Sequence, residues 1–106
     1  MKESNMDYDV KATVKNLRQS RTPFASGYRP AFKITPDYLT TGEITLIDKS
    51  ELGYATACKA FIRFLTPEVY PHCLWKGRKT YFMEGDNITG EAVIDDIYNQ
   101  LLKAER

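Results

Sequence analysis

The chain has 106 residues, enough for one compact domain of ordinary size. With 42% hydrophobic and 27% charged residues, its composition is globular and excludes a disordered chain. A formal net charge of +1 provides no global field that points to nucleic acid or a membrane surface. The charge is uneven: seven basic and four acidic side chains lie in residues 1–40, and two basic against five acidic in residues 86–106. Met1-Lys2-Glu3-Ser4-Asn5 lacks an apolar core and does not read as a signal peptide. No apolar run approaches the ~20 residues a membrane helix needs, so no membrane is expected. Cys58 and Cys73 are too few for a disulfide framework, and the expectation is a cytoplasmic chain with both thiols reduced.

Residues 1–6 read as a disordered start. From Asp7 to Lys15 apolar and polar side chains alternate, with Tyr8, Val10, Ala12 and Val14 on one face, as in a half-buried strand. Asn16 to Ser26 is polar and turn-rich, and Pro23 and Pro30 suit loops or strand starts. Phe32 and Ile34 give a second strand, which Pro36-Asp37 breaks. Ile44 and Leu46 face inward on a third, over Glu43–Ile47. Asp48 to Gly53 reads as a loop. Ala55 to Thr66 is the longest strand, with Cys58, Ala60, Ile62 and Phe64 on one face. Arg78 to Glu84 alternates again, and Gly85-Asp86-Asn87 is a tight-turn signal before a last strand at Ile88–Ile94. In the tail, Ile94, Ile97, Tyr98, Leu101 and Leu102 fall at i, i+3, i+4, i+7 and i+8, which predicts a helix over 95–106 capped by Asp95 or Asp96. The expected fold is all-β: a closed six-stranded antiparallel barrel of Greek-key type over residues 7–94, with an added C-terminal α-helix.

Thr22-Pro23-Phe24-Ala25-Ser26-Gly27-Tyr28-Arg29-Pro30-Ala31-Phe32 resembles the Thr-Pro-Phe-x-x-Gly-Tyr-Arg-Pro-Gln-Phe signature that opens the C-terminal β-barrel, the third domain, of bacterial elongation factor Tu. A second block, Lys76 to Ile94, aligns with the same domain without gaps and shares Gly77, Glu84, Gly85, Gly90 and Val93. Thr41-Gly42 and Pro67 fall between the blocks at about the family's spacings. The resemblance covers roughly Asp7 to Ile94. It implies a barrel that stands alone, without the GTPase domain that precedes it in the factor. It also implies contacts to the tRNA T-stem at Ala31, Thr41, Glu84 and Gly85. Several positions depart from the family. Its Gln is Ala31 here, its turn Arg is Asn87, and the His before its Thr-Pro-Phe is Arg21. The stretch between Pro67 and Gly77 is longer than in the family, and the tail after Ile94 is additional.

A phosphate-binding Gly-x-x-x-x-Gly-Lys-Ser/Thr loop is absent from the sequence, so GTP hydrolysis is not expected. His72-Cys73 lacks the further ligands of a metal site and the third group of a nucleophilic one. Neither metal nor cofactor is expected. Cys58 reads as a small buried hydrophobe. Arg29 reads as a structural rather than a ligand-binding arginine, one that needs carbonyl or carboxylate partners if it is partly buried among Tyr28, Phe24 and Phe32. Gly27 and Gly85 fit turns that need positive φ. Val69 to Trp75 is apolar and aromatic, and suits either a loop folded on the barrel end or an anchor for a protein partner. Trp75, Lys76, Arg78 and Lys79 form a candidate basic and aromatic patch for RNA or protein. The tail helix is expected to cover the barrel or to meet another chain. The expected function is a non-enzymatic, translation-factor-like binding module that meets tRNA or another translation component. The alternative is a protein–protein adaptor or decoy that makes no RNA contact.

Overall fold

A computed structural model describes residues 8–35, 38–67 and 71–104. The described residues form β1 (Val10–Asn16), β2 (Phe24–Ala25), β3 (Ala31–Thr35), β4 (Tyr38–Leu46), β5 (Glu51–Leu52), β6 (Ala57–Phe64), β7 (Lys79–Glu84) and β8 (Asn87–Ile97). Six of these close a barrel in the order β1-β6-β4-β3-β7-β8, and β8 returns antiparallel to β1. β3, β4 and β6 are successive neighbours and β7 lies back beside β3, a Greek-key arrangement. Closure gives every barrel strand two partners, so that no strand is an edge strand of an open sheet. The expected all-β, closed six-stranded antiparallel barrel is therefore the fold that forms.

Alternation explains which side chains enter the core. Val10, Ala12 and Val14 of β1 are fully buried, as are Phe32 of β3, Ile44 of β4, Ala60 and Ile62 of β6, and Phe82 of β7. The Phe32 ring lies 5.3 Å from both Phe64 and Phe82, edge-on to the first and tilted to the second. An aromatic core of this kind loses about 3–5 kcal/mol when one ring is truncated to Ala. Gly90 is needed beside it. A Cβ there would lie 2.0 Å from Phe82 Cζ and 2.6 Å from the Lys15 carbonyl oxygen, so only glycine lets β8 cross the ring.

Each barrel end is plugged. At one end the small β2–β5 sheet inserts Phe24 and Leu52, in two segments that read as loops in the sequence. Buried Asn16 ties this plug: Nδ2 donates to the carbonyls of Thr22 and Leu52, both at 2.9 Å, and Oδ1 accepts from Arg18 N at 2.9 Å. At the other end Leu74 and Leu102 are buried. Asp9 ties that end, accepting from Phe64 N at 2.6 Å and from Asn99 Nδ2 at 2.9 Å.

The helix expected over 95–106 does not form. β8 continues to Ile97, a 3-10 turn follows at Gln100–Leu102, and Lys103 bridges to Leu74; residues 105–106 lie outside the described residues. Asn99, rather than Asp95 or Asp96, caps that turn, accepting from Leu101 N at 3.0 Å. The helical spacing has a strand explanation. Val10 pairs with Ile97 and Ala12 with Ile94, while Lys11 pairs with Asp96, which leaves Asp95 as an extra residue in a β-bulge. One bulged residue puts Ile94 and Ile97 on the same inward side three positions apart, imitating one helical turn. Residues 1–6 and the Pro36-Asp37 break lie outside the described residues.

Candidate functional site

The Thr22–Phe32 segment is used to hold the barrel together. Gly27 and Gly85 both have positive φ, +98° and +62°, as the sequence requires of them. Gly85 occupies the first central position of the two-residue β7–β8 hairpin, where its lack of a Cβ permits that conformation. Tyr28 stacks on Phe24 at 4.4 Å and donates its hydroxyl to Glu84 Oε2 at 2.6 Å. Arg29 is not partly buried among these rings: its side chain is 68% exposed on the outward side of the barrel wall and pairs with the Glu43 carboxylate at 3.4 Å.

Arg18 takes the structural role instead. Its guanidinium lies 4.7 Å from the centre of the Tyr28 ring and donates from Nη2 to Glu84 Oε2 at 2.9 Å and from Nη1 to the Pro23 carbonyl at 2.8 Å. The Tyr28 hydroxyl, with Arg18 adding and partial burial opposing, holds the Glu84 carboxyl below the usual carboxylate range. Burial, reinforced by Glu84, pushes the Tyr28 phenol up. Nothing local marks Arg18 in the sequence, since its carboxylate partner lies 66 positions away.

The positions carried over from the family fall close together on the outer wall. Ala31 of β3 pairs with Thr41 of β4 on one side and with Met83 of β7 on the other. Glu84 and Gly85 follow Met83 directly, and Met83 pairs across the hairpin with Ile88. Leu65 N donates to the Thr41 carbonyl at 2.8 Å and extends the row past β4. The row thus runs Leu65, Thr41, Ala31, Met83, Ile88 across five neighbouring chain segments. Leu65 is 73% exposed and Ile88 47%, and neither was singled out in the sequence because an isolated surface apolar residue carries no signal. A small cleft of about 190 Å³ brings Thr41 together with Arg29, Glu43, Arg63 and Leu65.

The basic and aromatic patch is divided by its partners. Arg78 stacks on Trp75 at 5.1 Å from the ring centre and donates from Nη1 and Nη2 to the carbonyls of Cys73 and Ile34. Burial lowers the pKa of its guanidinium. Lys76 pairs with Asp96 at 3.4 Å and Lys79 with Glu91 at 3.8 Å. Trp75 is half-buried, and the described part of its loop packs against the tail: His72 N donates to the Leu101 carbonyl and Leu74 N to the Leu102 carbonyl, both at 2.8 Å. Residues 69–70 of that loop lie outside the described residues. His72 Nδ1 lies 3.0 Å from the Lys103 carbonyl oxygen. Cys58 is half-buried against the core, and burial pushes its thiol up. Both cysteines are free, and no metal-holding group of His, Cys, Asp or Glu occurs among the described residues. No described helix is long and apolar enough to cross a membrane.

No protein-family model matches the chain, and no curated protein matches it.

Proposed function

We propose that the chain is a non-enzymatic binding barrel, similar to the third domain of elongation factor Tu, that meets tRNA through the outer wall of β4, β3 and β7. The observation that carries this reading is convergence. Ala31, Thr41 and the Glu84-Gly85 pair, chosen from sequence blocks far apart, meet on adjoining strands. Thr41 supplies a hydroxyl and the turn at Gly85 supplies backbone amides, group types that contact phosphates and sugar hydroxyls. Arg29 stands beside them in an exposed pair with Glu43. Such a pair is worth little in water, so the guanidinium exchanges to a phosphate at small cost. This reading implies a cytoplasmic location.

The test is binding of bulk tRNA to the full chain across a salt series. The reading predicts affinity that falls linearly in log–log form with salt, and weaker binding by the Ala31→Glu, Thr41→Glu double variant. Salt-insensitive binding, or binding that the double variant leaves unchanged, contradicts it.

A second reading, a protein adaptor that makes no RNA contact, is favoured by one observation. The large exposed apolar residues Leu65 and Ile88 end the same row. Under it, association survives nuclease and salt and is lost in the Leu65→Asp, Ile88→Asp double variant.

A further inference from the structure

The ladder between β3 and β7 stops early. Its last register pair is Lys33 with Tyr81, although β3 runs on to Thr35 and β7 begins at Lys79. Beyond that pair the strands part, and an open cleft of about 330 Å³ lies between them. Lys33, Thr35, Arg78, Lys79 and Tyr81 line it. The Arg78 guanidinium spans the gap, donating to the Ile34 carbonyl on the β3 side and the Cys73 carbonyl on the other. Two of its five N–H donors are used in this way, which fixes the plane of the group.

The cleft therefore gathers three cations. Among the described residues their acidic partner is Glu91, which holds Lys79 at 3.8 Å, too long for a strong hydrogen bond. Lys33 has no ion pair among the described residues. At the lip the Tyr81 ring is 39% exposed, and Thr35 contributes a buried hydroxyl that has no hydrogen-bond partner among the described residues. Lys33, without an ion pair among the described residues, and Lys79, held only by its long contact to Glu91, flank a concave space that favours a multivalent anion, and an exposed aromatic face beside them suits a flat ring.

We infer that the β3–β7 cleft is a nucleotide-phosphate site. Lys33 and Lys79 hold the phosphate, Arg78 keeps the cleft open and positively charged, and Tyr81 stacks on the base. These are not the positions that the elongation-factor resemblance supplies. The inference draws on the RNA reading only for the carrier of the phosphate, which is either a free mononucleotide or a nucleotide within single-stranded RNA.

The test is an amide NMR titration of the full chain with three probes: inorganic phosphate, adenosine monophosphate and a short single-stranded RNA. The inference predicts shifts at Lys33, Thr35, Lys79 and Tyr81 with all three probes, and a lost response to phosphate in the Lys33→Glu, Lys79→Glu double variant. For RNA, removing the one phosphate contact that the two lysines share lowers the salt slope by about 0.7. Tyr81→Ala weakens the monophosphate and leaves inorganic phosphate unchanged. Lys76→Glu, outside the cleft, changes neither. Cleft shifts with phosphate and monophosphate but none at the cleft with RNA support the site with a free mononucleotide as its ligand, and leave the tRNA reading of the outer wall to the salt series and the Ala31→Glu, Thr41→Glu variant. RNA shifts confined to the Leu65–Ile88 row overturn the site and keep the RNA reading. No shift at the cleft with any probe overturns the inference.

Discussion

The two ends of the barrel are built from the same parts with different results. Each has a buried polar side chain from or beside β1, Asn16 at one end and Asp9 at the other, that ties a plug to the wall. Each has an arginine laid over an aromatic ring, Arg18 on Tyr28 and Arg78 on Trp75. The difference is the counter-charge. Arg18 has the Glu84 carboxylate at 2.9 Å, whereas the hydrogen bonds of Arg78 go to neutral carbonyls. The first end is electrically closed. The second carries positive charge into the β3–β7 cleft, so two similar structural solutions leave the arginine without a carboxylate at one end only.

The largest expected effects fall on the two ties. Asn16→Ala leaves two carbonyls and one amide unpaired, and Asp9→Ala frees a strand amide and the Asn99 side chain. Each should destabilise by about 3 kcal/mol in urea unfolding. Unequal losses would break the equivalence of the ends. Arg78→Met is next, at about 2 kcal/mol, because two carbonyls lose their donor. Tyr28→Phe removes the hydroxyl that bonds Glu84 and Thr89 and should cost about 1 kcal/mol.

Acid separates the ends more finely. The Glu84 carboxyl titrates lower folded than unfolded, so its contribution is complete above the ordinary carboxylate range and fades as pH falls through its depressed value. The Tyr28 phenol titrates higher when folded, so its contribution is complete below its ordinary value and is lost as alkali passes the raised one. The gap in melting temperature between the native chain and Glu84→Gln should be widest at neutral pH and shrink below about pH 4. A gap that is constant through acid would remove the carboxylate from the account. Smallest of all, Lys33→Glu and Lys79→Glu should each alter stability by no more than about 0.5 kcal/mol, because both lysines are exposed.

Much of the barrel was legible from alternation alone, because period two survives wherever one face meets the core. Val10, Ala12 and Val14, or Ala60, Ile62 and Phe64, are read correctly from the chain. The reading fails where a strand departs from period two. The bulge at Asp95 disguised the end of β8 as a helix, and β2 and β5 are too short to show any period. The site was less legible. The conspicuous Thr22–Phe32 segment is spent on holding Arg18, Asn16 and Glu84, and Arg29 proved exposed. The cleft depends on where a ladder between strands distant in sequence stops, and no local pattern encodes that. Within the patch read from the sequence, Arg78 lies over Trp75, while Lys76 and Lys79 turn to their own carboxylates.

The measurement that bears most directly on the proposed working surface is hydrogen exchange of the full chain with and without bound tRNA. The account predicts slowed exchange along β3, β4 and β7, centred on Ala31, Thr41 and Gly85. Protection confined to the Leu74–Lys103 end of the barrel, with those strands unchanged, would contradict it.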